Sequence, residues 1–279
     1  MLAPTRGLAP TPLAVIIPTR NAGSTLARTL SSLWRSENVS FTVVIVDGGS
    51  TDDTLSIALG AGHGTIVLSG AYGRSAARRA GVGTVDSPNV LFLDADQTVP
   101  PGLLAEGVVR LSNGGADALV VPEHVEGVGI WTRCAELDRR LFDSDELRYP
   151  RFFRREFYER IGGHAVGLED YMEDRDLTLR AKAAAGRIAT TSGSIANLAD
   201  HLNPLALGRR GARAARDAGV YYARNRAGGE SLRTVVTSRF RAFIRRAPTL
   251  REDPVASIVL GLFMLVAHGP RLLAVLVAG

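Results

Sequence analysis

The sequence predicts an α/β fold with a mostly parallel sheet flanked by helices and a helical carboxyl-terminal appendage. Short β-rich apolar runs alternate with segments of helical periodicity, and the composition changes after residue 205. The 279 residues, 46% of them hydrophobic, suffice for one substantial globular domain and an appendage. We divide the chain into a loose lead-in (1–12), a globular domain (13–205), an Arg-rich amphipathic helical region (206–250) and an apolar segment (251–279).

The elements of the globular domain follow one another in a regular strand–helix order. Apolar β-rich runs predict strands, and leucines at helical spacing after Ser24 predict the first helix. This rhythm indicates a parallel sheet with helices on both faces, whose ligands bind beyond the carboxyl ends of the strands. Strands are predicted at 13–17, 41–46, 65–68, 90–93 and 118–121, and further helices at 75–85 and 100–111.

Composition narrows the classes of function. The net charge of +5 and the pI near 9.8 fit an anionic partner, whether nucleotide, nucleic acid or acidic lipid. Cys134 is the only cysteine, so no disulfide forms within the chain, and its helix-like setting favours a buried thiol over a nucleophile. The only lysine, Lys182, lies in RAKAAAG, which excludes a Walker-type phosphate loop.

The stretch VLFLDADQTVPP places Asp94 and Asp96 directly after a predicted strand. Residues two apart in an extended segment face the same side, so both carboxylates are expected at one place. Their mutual repulsion is relieved if a hard divalent cation such as Mg²⁺ or Mn²⁺ joins them, and such cations share their ligands with diphosphates. A solvated Asp-x-Asp turn is the alternative interpretation of an isolated motif.

Five segments in order carry a resemblance to a known family. They are VIIPTRNAGSTLARTLSSL, VVIVDGGSTDDT, GRSAARRAGVGTVDSPNVLFLDADQTVPPGLL, FFRREFYERIGG and YMEDRDLTLRAKAAAGRI. Together they resemble the family 2 glycosyltransferases, which have the GT-A fold, over roughly residues 13–205. The resemblance implies a nucleotide-diphosphate-sugar donor (a UDP- or GDP-sugar), a hydroxyl acceptor and a divalent cation (Mn²⁺ or Mg²⁺).

The resemblance assigns the nucleotide base to the first two strand ends. Pro18, Thr19 and Asn21 match the turn that lies against the base, and Asp47 matches an aspartate that accepts a hydrogen bond from it. The family has a second aspartate where this chain has Gly48, so the base contact rests on Asp47 alone. The alternative is that Asp47 only ends a strand.

Basic residues between the third strand and the Asp-x-Asp are assigned to the donor diphosphate. Arg78 matches the family's basic position there, and guanidinium groups pair bidentately with phosphate oxygens. Asp94 is also assigned to donor binding. Because adjacent helical positions diverge by about 100°, Arg78 and Arg79 are not both expected to point inward. For Arg74, a phosphate contact and a solvated surface position both remain open.

The Glu-Asp pair at 173–174 matches the pair whose aspartate is the catalytic base in the family. A carboxylate there would accept the acceptor's hydroxyl proton as the new bond forms. Asp170 competes for this role. Asp174 is preferred because Asp176 and Arg180 then match the family's Asp-Leu-x-x-Arg and form an i,i+4 ion pair. A helix-start carboxylate without catalytic function is the alternative.

The remaining candidates are a glycine turn and a histidine. Gly162 and Gly163 end a predicted helix and, with Glu173, match the acceptor side in the family; His164 carries little functional weight. His201 resembles a histidine that some members place near the metal and the diphosphate. It joins Asp94 and Asp96 as a candidate metal ligand, with a structural histidine as the alternative.

The last third of the chain predicts an anionic membrane surface as a partner. Twelve arginines fall between residues 209 and 251, and apolar residues recur among them at helical spacing. No nucleic-acid-binding motif accompanies them, so no nucleic acid partner is expected. The apolar run at 255–267 has 13 residues, short of the ~20 that span a bilayer. We expect membrane association at the cytoplasmic face, and a packed soluble helix is the alternative.

Two classes of function fit these features. One is an inverting, metal-dependent glycosyltransferase that moves one sugar to a lipid-linked or membrane-proximal acceptor. The other is a non-catalytic, membrane-bound binder of nucleotide-sugars or polyanions. The joint presence of Asp94, Asp96 and Asp174 favours the enzyme, because a binder needs no base. A nucleotidyltransferase is disfavoured because the first strand leads into PTRN rather than a glycine-rich loop. The Gln-x-x-Arg-Trp motif of processive members is missing from the sequence, which predicts single transfer.

Overall fold

The structure is a computed structural model that describes residues 11–62, 64–142, 149–165, 167–168, 172–199, 221, 241 and 243–263. The chain divides into two units. The first unit comprises residues 1–123 and 149–197, and the second comprises 124–148 and 198–279. The first unit contains the five segments that carry the family resemblance, whereas residues 124–148 and 198–205 of the predicted 13–205 domain fall in the second unit. The bounds of the four predicted segments stay predictions.

Seven of the described strands form one sheet in the first unit, in the order β3-β2-β1-β4-β8-β6-β9. The four neighbours β3, β2, β1 and β4 are parallel, as the strand–helix rhythm predicts. Three shorter strands form a second sheet in the order β5-β10-β7. The strands are β1 (Leu13–Thr19), β2 (Phe41–Asp47), β3 (Thr65–Ser69), β4 (Asn89–Phe92), β5 (Gln97–Thr98), β6 (Ala118–Val120), β7 (Glu123–Glu126), β8 (Pro150–Arg154), β9 (Ile188–Thr190) and β10 (Ile195–Leu198).

Helices cover both faces of the large sheet because its central strands are apolar on both sides. In β1, Val15 belongs to the core formed with α1, α2 and α4, whereas Ile16 belongs to the core formed with α3, α6 and α7. Alternate strand residues therefore face opposite helix layers, which explains the continuous apolar run LAVII. The helices are α1 (Leu26–Trp34), α2 (Thr54–Leu59), α3 (Arg74–Thr84), α4 (Leu103–Ser112), α5 (Ile130–Phe142), α6 (Arg155–Arg160) and α7 (Met172–Ala183).

Strand β8 runs antiparallel to both β4 and β6, so the sheet is mostly parallel, as predicted. One local expectation is wrong. Residues 94–97 form a turn, closed by the N–H of Gln97 donating to the carbonyl of Asp94 at 3.1 Å. Asp94 and Asp96 therefore lie in a turn between β4 and β5, not in an extended segment, and β5 begins at Gln97.

The second unit has a small apolar core of its own. Cys134, Leu137 and Leu141 of α5 pack against Ala256 and Leu260 of the helical segment 254–263. Burial raises the pKa of the Cys134 thiol, which fits the predicted buried, unreactive cysteine. Part of the predicted apolar segment thus packs on protein. Within the described residues, no helix has the length and apolar character needed to cross a membrane.

Candidate functional site

The first two strand ends are tied together at the predicted base-binding turn. The N–H of Asn21 donates to Ser50 Oγ at 2.9 Å, and its side-chain Oδ1 accepts from the N–H of Thr51 at 2.9 Å. Asn21 adopts a left-handed backbone with a φ of 51°, which asparagine tolerates better than most residues. Pro18 is partly exposed and Thr19 is buried, with its carbonyl accepting from the N–H of Gly48 at 2.8 Å. The three residues therefore lie at the carboxyl end of β1, and their contact with a nucleotide base stays a prediction.

Asp47 ends β2 and is buried, with 1% of its surface exposed. Its carboxylate accepts hydrogen bonds from the N–H groups of Gly49 and Ser50 and from the hydroxyls of Ser50 and Ser69. These contacts fix the turn after the strand. The predicted hydrogen bond to a nucleotide base stays a prediction.

Gly48 has a steric explanation. A Cβ atom added there would lie 2.8 Å from the carbonyl oxygen of Tyr72, closer than side-chain carbons approach backbone oxygens. The second aspartate of the family's turn therefore has no room in this chain unless the segment at Tyr72 moves.

The centre of the site is a cluster of carboxylates around Arg78. From α3, its Nη1 lies 2.9 Å from Asp174 Oδ1 and 3.1 Å from Glu173 Oε1, and its Nη2 lies 3.1 Å from Asp94 Oδ1. Only 1% of Arg78 is exposed. One buried guanidinium thus joins the Asp-x-Asp to the Glu-Asp pair, which lies about 80 residues later in the chain.

This placement bears on the predicted roles of the arginines. The guanidinium of Arg78 lies buried among the carboxylates, so contact with a donor phosphate would require its exposure and stays a prediction. Arg74, at the start of α3, is 36% exposed, and its Nη1 lies 3.9 Å from Glu173 Oε1. Arg79 is exposed and donates to the carbonyls of Gly162 and His164 at 2.8 and 3.1 Å. The predicted divergence of Arg78 and Arg79 is confirmed.

Asp94 is held in a closed ring of hydrogen bonds. Its N–H donates to Gln97 Oε1 at 2.9 Å, and Gln97 Nε2 donates to Asn197 Oδ1 at 2.9 Å. Asn197 Nδ2 donates to Glu123 Oε2 at 3.0 Å, and Glu123 Oε1 accepts from Arg151 Nε at 2.7 Å. Arg151 Nη2 completes the ring at 3.3 Å from Asp94 Oδ2. The first carboxylate of the Asp-x-Asp is therefore fixed in both position and charge.

Arg151 is a residue that the sequence analysis missed. It is 2% exposed and contacts Asp94, Glu123, the hydroxyl of Tyr149 and the carbonyl of Phe92. Burial alone would raise the pKa of Asp94, but the charges of Arg151 and Arg78 hold that pKa well below its usual range. The sequence feature that could have identified Arg151 is its position inside the otherwise apolar strand sequence PRFF. A charged side chain at such a position is expected to meet a buried partner.

The Asp-x-Asp matches a hard cation in ligand chemistry, since both side chains present carboxylate oxygens. Both oxygens of Asp94 already accept from arginines, whereas Asp96 is partly exposed. Within the described residues, no group of three or more histidine, cysteine or acidic side chains is placed to hold a metal ion. His201, the third predicted ligand, lies outside the described residues.

The Glu-Asp pair lies in the first turn of α7, as predicted. Burial raises the pKa of Asp174, but the charge of Arg78 and the nearby imidazole of His164 outweigh it, so that this pKa lies below its ordinary value. Burial, followed by the charge of Asp174, raises the pKa of Glu173 to about 7. At neutral pH, Asp174 is thus ionised, whereas Glu173 is about half protonated. The competing Asp170 lies outside the described residues.

The Asp174 carboxylate meets described residues through Oδ1, which accepts from Arg78 and faces His164 Nε2 at 3.6 Å. The side chain is 16% exposed. The predicted ion pair on the next turn is confirmed, with Arg180 Nε 2.9 Å from Asp176 Oδ2.

The glycine turn after α6 supports the same carboxylate. Gly162 and Gly163 have φ angles of 85° and 62°, which a residue with a side chain adopts with strain. The carbonyl of Gly162 accepts from Arg79, and that of Gly163 accepts from Arg180 at 2.7 Å. The helix-ending turn is confirmed. In this structure it positions His164 beside Asp174, while an acceptor-side role stays a prediction.

Sequence comparison decides the family. Residues 14–172 match the family described as Glycosyl transferase family 2, which is more than half of the chain. The chain belongs to this family. The match confirms the resemblance to this family, and it covers the first four of the five segments, with Asp94, Asp96 and Arg78 of the site.

Curated relatives of this family 2 chain act in several contexts. It is 37% identical over 114 residues to the succinoglycan biosynthesis protein ExoU of Rhizobium meliloti, a match that covers 39% of this chain and 32% of ExoU. It is 30% identical over 178 residues to a PGL/p-HBAD biosynthesis glycosyltransferase of Mycobacterium bovis, covering 60% of this chain and 68% of the relative. The match to ExoU spans about a third of that protein's length.

Solved structures agree with the GT-A fold. A mannosyltransferase of Pyrobaculum calidifontis, PcManGT, in complex with GDP-Man and Mn²⁺ superposes with a TM-score of 0.59 at 19% identity, covering 99% of this chain and 81% of that chain. S. aureus TarS 1–349 in complex with UDP superposes with a TM-score of 0.54 at 20% identity, covering 74% of this chain and 65% of that chain. At such identities the likeness concerns the fold.

Proposed function

We propose that this family 2 chain transfers one sugar, with inversion, from a nucleotide-diphosphate-sugar to a hydroxyl of a lipid-linked or membrane-proximal acceptor. The observation that carries the proposal is the meeting of Asp94 and Asp174 on Arg78, at 3.1 and 2.9 Å. The proposed donor-binding carboxylate and the proposed base therefore contact the same guanidinium group. The complexes of TarS with UDP and of PcManGT with GDP-Man support a UDP- or GDP-sugar donor.

In this proposal, Asp174 is the general base. The guanidinium of Arg78 and the imidazole of His164 hold Oδ1 and favour the ionised form, while Oδ2 accepts the proton of the attacking hydroxyl. The hydroxyl attacks from the side opposite the departing diphosphate, so the configuration of the sugar inverts. Arg74, partly exposed at the start of α3, is placed to meet the diphosphate.

Asp96, with Asp94, would hold a divalent cation together with oxygens of the donor. When bound, such a cation supplies positive charge to the departing diphosphate. The presence of Mn²⁺ in the PcManGT complex supports this assignment. The buried ring around Asp94 keeps its carboxylate ionised, and Asp96 is partly exposed at the same turn.

Membrane association belongs to the same proposal, because a lipid-linked acceptor is reached from the cytoplasmic face of a membrane. The exposed surface of the segment 241–263 combines arginines with the apolar side chains of Ile244, Val255, Ile258 and Leu262, which are 57–65% exposed. Such a combination suits an anionic lipid surface. Most of the predicted Arg-rich region and residues 264–279 lie outside the described residues.

The test separates binding from chemistry. Thermal-shift measurements with UDP-, GDP- and dTDP-sugars, with and without Mn²⁺, identify the donor. Asp174→Asn keeps an oxygen for Arg78 but loses basicity, so donor affinity should hold while turnover, measured first as donor hydrolysis, falls roughly 10²–10⁴-fold. Asp170→Asn is the matched control. The reverse pattern would assign the base to Asp170, and full activity of both variants would contradict a catalytic base at either position.

Donor binding is tested separately by calorimetry. Asp96→Ala should abolish the part of donor affinity that requires the cation. Donor affinity that is unchanged in excess chelator would refute the metal assignment and leave the base assignment intact.

A further inference from the structure

His164 is a buried histidine placed directly behind the proposed base. Its ring is 1% exposed and packs edge-on against Phe92, with the ring centroids 4.6 Å apart. The hydroxyl of Tyr158 lies 2.9 Å from Nδ1, and Nε2 lies 3.6 Å from Asp174 Oδ1. One imidazole therefore connects a buried phenol to the carboxylate on which the chemistry depends.

The hydrogen bonds around the ring favour one tautomer. Nη1 of Arg78 lies 3.5 Å from Nε2, a long contact beside its shorter hydrogen bonds to Glu173 and Asp174, at 3.1 and 2.9 Å. An unprotonated Nε2 would have only this long contact as a donor and would turn its lone pair towards the Asp174 carboxylate. With the proton on Nε2, the imidazole instead donates towards Oδ1, and Nδ1 accepts from the hydroxyl of Tyr158.

The surroundings keep this arrangement in one protonation state. Burial is the main reason that the pKa of His164 is lowered, to about 4, so the ring is neutral at physiological pH. Burial also raises the pKa of Tyr158, so the phenol keeps its proton. The backbone N–H of His164 donates to the same hydroxyl at 3.1 Å, which occupies a lone pair of that oxygen and leaves its proton for Nδ1.

The backbone that carries His164 is itself clamped. Arg79 donates to its carbonyl at 3.1 Å, and Arg180 donates to the carbonyl of Gly163 at 2.7 Å. A side chain at Gly163 would approach the Tyr158 ring to about 3.0 Å, so the close approach of turn and ring depends on glycine. The ring is thus fixed before any substrate arrives, which is what orienting a base requires.

We infer that His164 and Tyr158 are positioning residues for the base: Tyr158 holds the imidazole in its Nε2–H tautomer, and that N–H orients Asp174 Oδ1 so that Oδ2 points to the acceptor. This role rests on the proposed function of Asp174. The distance of 3.6 Å is longer than a hydrogen bond, and hydrogen bonds of catalytic groups often shorten only in the complex with substrate.

The first experiment uses the free protein. Nitrogen-15 NMR of the imidazoles should show His164 as a neutral ring with the proton on Nε2 from pH 5 to pH 8, its signals assigned by their loss in His164→Gln. Asp174→Asn should shift the Nε2 signal. A proton on Nδ1 in the wild-type protein would overturn the inference, and this measurement requires no donor.

The second experiment follows the hydrolysis of UDP-N-acetylglucosamine and of GDP-mannose. His164→Phe fills the apolar space without a donor, so kcat should fall roughly tenfold, the worth of one hydrogen bond to a charged group, with an unchanged donor KM. His164→Gln places an amide N–H near the position of Nε2 and should recover most of the rate. Equal loss in both variants would indicate a merely structural histidine and overturn the inference.

The pH profile separates this inference from the proposed function. Asp174 is faced by Arg78, Arg151, Glu173 and His164, and removing only the last should move the acidic limb of kcat to higher pH. Suppose that Asp174→Asn loses turnover, whereas His164→Phe keeps full turnover and an unmoved acidic limb. That result would overturn the role of His164 and leave the base assignment intact. Full turnover in Asp174→Asn would overturn the base assignment itself.

Discussion

At the scale of single residues, the site depends on charge compensation by buried arginines. Arg78 is surrounded by Asp94, Glu173 and Asp174, and the charge of Asp174 is the leading contribution that raises its pKa against the effect of burial. Removing one partner of a buried ion pair leaves the others as uncompensated charges. The stability of the first unit and the geometry of the site are therefore linked through one side chain.

We predict that Arg78→Ala lowers the free energy of unfolding by about 3–5 kcal/mol, because three carboxylates lose their shared cation. Urea unfolding followed by circular dichroism measures the change. Arg74→Ala is the matched control on the same helix: at 36% exposure and 3.9 Å from Glu173, its loss should change the stability by less than about 1 kcal/mol. Equal effects of the two substitutions would contradict the buried cluster.

Glu173 provides a prediction about pH. Its pKa is raised to about 7 in the folded protein from an ordinary value of 4.5, so the folded state holds its proton more tightly than the unfolded state. Its contribution to stability is complete below pH 4.5 and is lost as the pH rises through 7. Glu173→Gln should therefore gain stability relative to wild type across that window, by roughly 2–3 kcal/mol at pH 8.

Comparing the stability of Glu173→Gln with that of the wild type at each pH isolates the contribution of Glu173. Two other groups make the stability of both proteins depend on pH in the opposite direction. His164, with a pKa lowered to about 4, contributes stability that is lost as the pH falls below 6.5. Asp174, whose pKa is depressed, contributes stability that is lost only below its ordinary value of 3.8. Glu159→Gln, the same substitution at an exposed position, is the matched control. A constant difference between Glu173→Gln and wild type from pH 4.5 to pH 8 would show that Glu173 is ionised throughout.

At the scale of elements, helix α3 sets the position of Arg78. The helix lies against β1 and β2 at Gly81, where an added Cβ would meet Ile16 Cγ2 at 2.5 Å and Val46 Cγ2 at 3.3 Å. Arg78 lies one helical turn before this contact. The depth at which its guanidinium reaches the carboxylates thus depends on a glycine that the sequence analysis did not single out.

We predict that Gly81→Ala destabilises the protein by about 1–3 kcal/mol, the usual effect of overpacking. It should also lower turnover, because α3 and Arg78 must move away from the sheet. Gly83→Ala on the same helix has open space around the added methyl and should stabilise by about 0.5–1 kcal/mol. Thermal unfolding and donor hydrolysis of both variants test this. Unchanged stability and turnover in Gly81→Ala would contradict the close contact between α3 and the sheet at this residue.

The sequence predicted the helices and strands well where a local pattern of apolar residues is enough to define them. The bounds of β1, β2, β3 and α3 agree with the predictions to within two residues, because alternating apolar runs and helical spacing are local properties. The antiparallel direction of β8 was not predicted, since strand pairing depends on residues far apart in the chain.

The site was predicted in part for the same reason. Asp94, Asp96 and Asp174 fall at predicted element ends, and the structure places Asp94 and Asp174 around one group. Their meeting on Arg78 and the ring through Arg151 are contacts between distant segments, which spacing along the chain does not encode.

At the scale of the whole chain, the second unit provides the surface proposed to meet a membrane. In the helical segment 254–263, Ala256 and Leu260 are buried against α5, whereas Ile258 and Leu262 are 65% and 60% exposed. The ion pair between Arg133 and Asp253 joins the start of this segment to α5. Deleting the segment would consequently expose an apolar core, so a truncation that tests membrane contact should keep it.

We predict that deletion of residues 264–279 releases the protein from anionic lipid vesicles while donor binding in the thermal-shift assay persists. Sedimentation with vesicles of phosphatidylserine and phosphatidylcholine measures the release. In the full chain, the double substitution Ile258→Ser and Leu262→Ser should weaken binding, because apolar contact with the lipid is lost. Leu59→Ser, at a position 68% exposed in the first unit, is the matched control.

Higher salt should weaken the part of the binding that the arginines provide, since it screens their attraction to anionic lipid. If the truncated protein still sediments, and does so only at low salt, the Arg-rich region at 206–250 rather than the apolar segment makes the contact. Equal binding of all variants to neutral vesicles would refute the anionic surface as the partner.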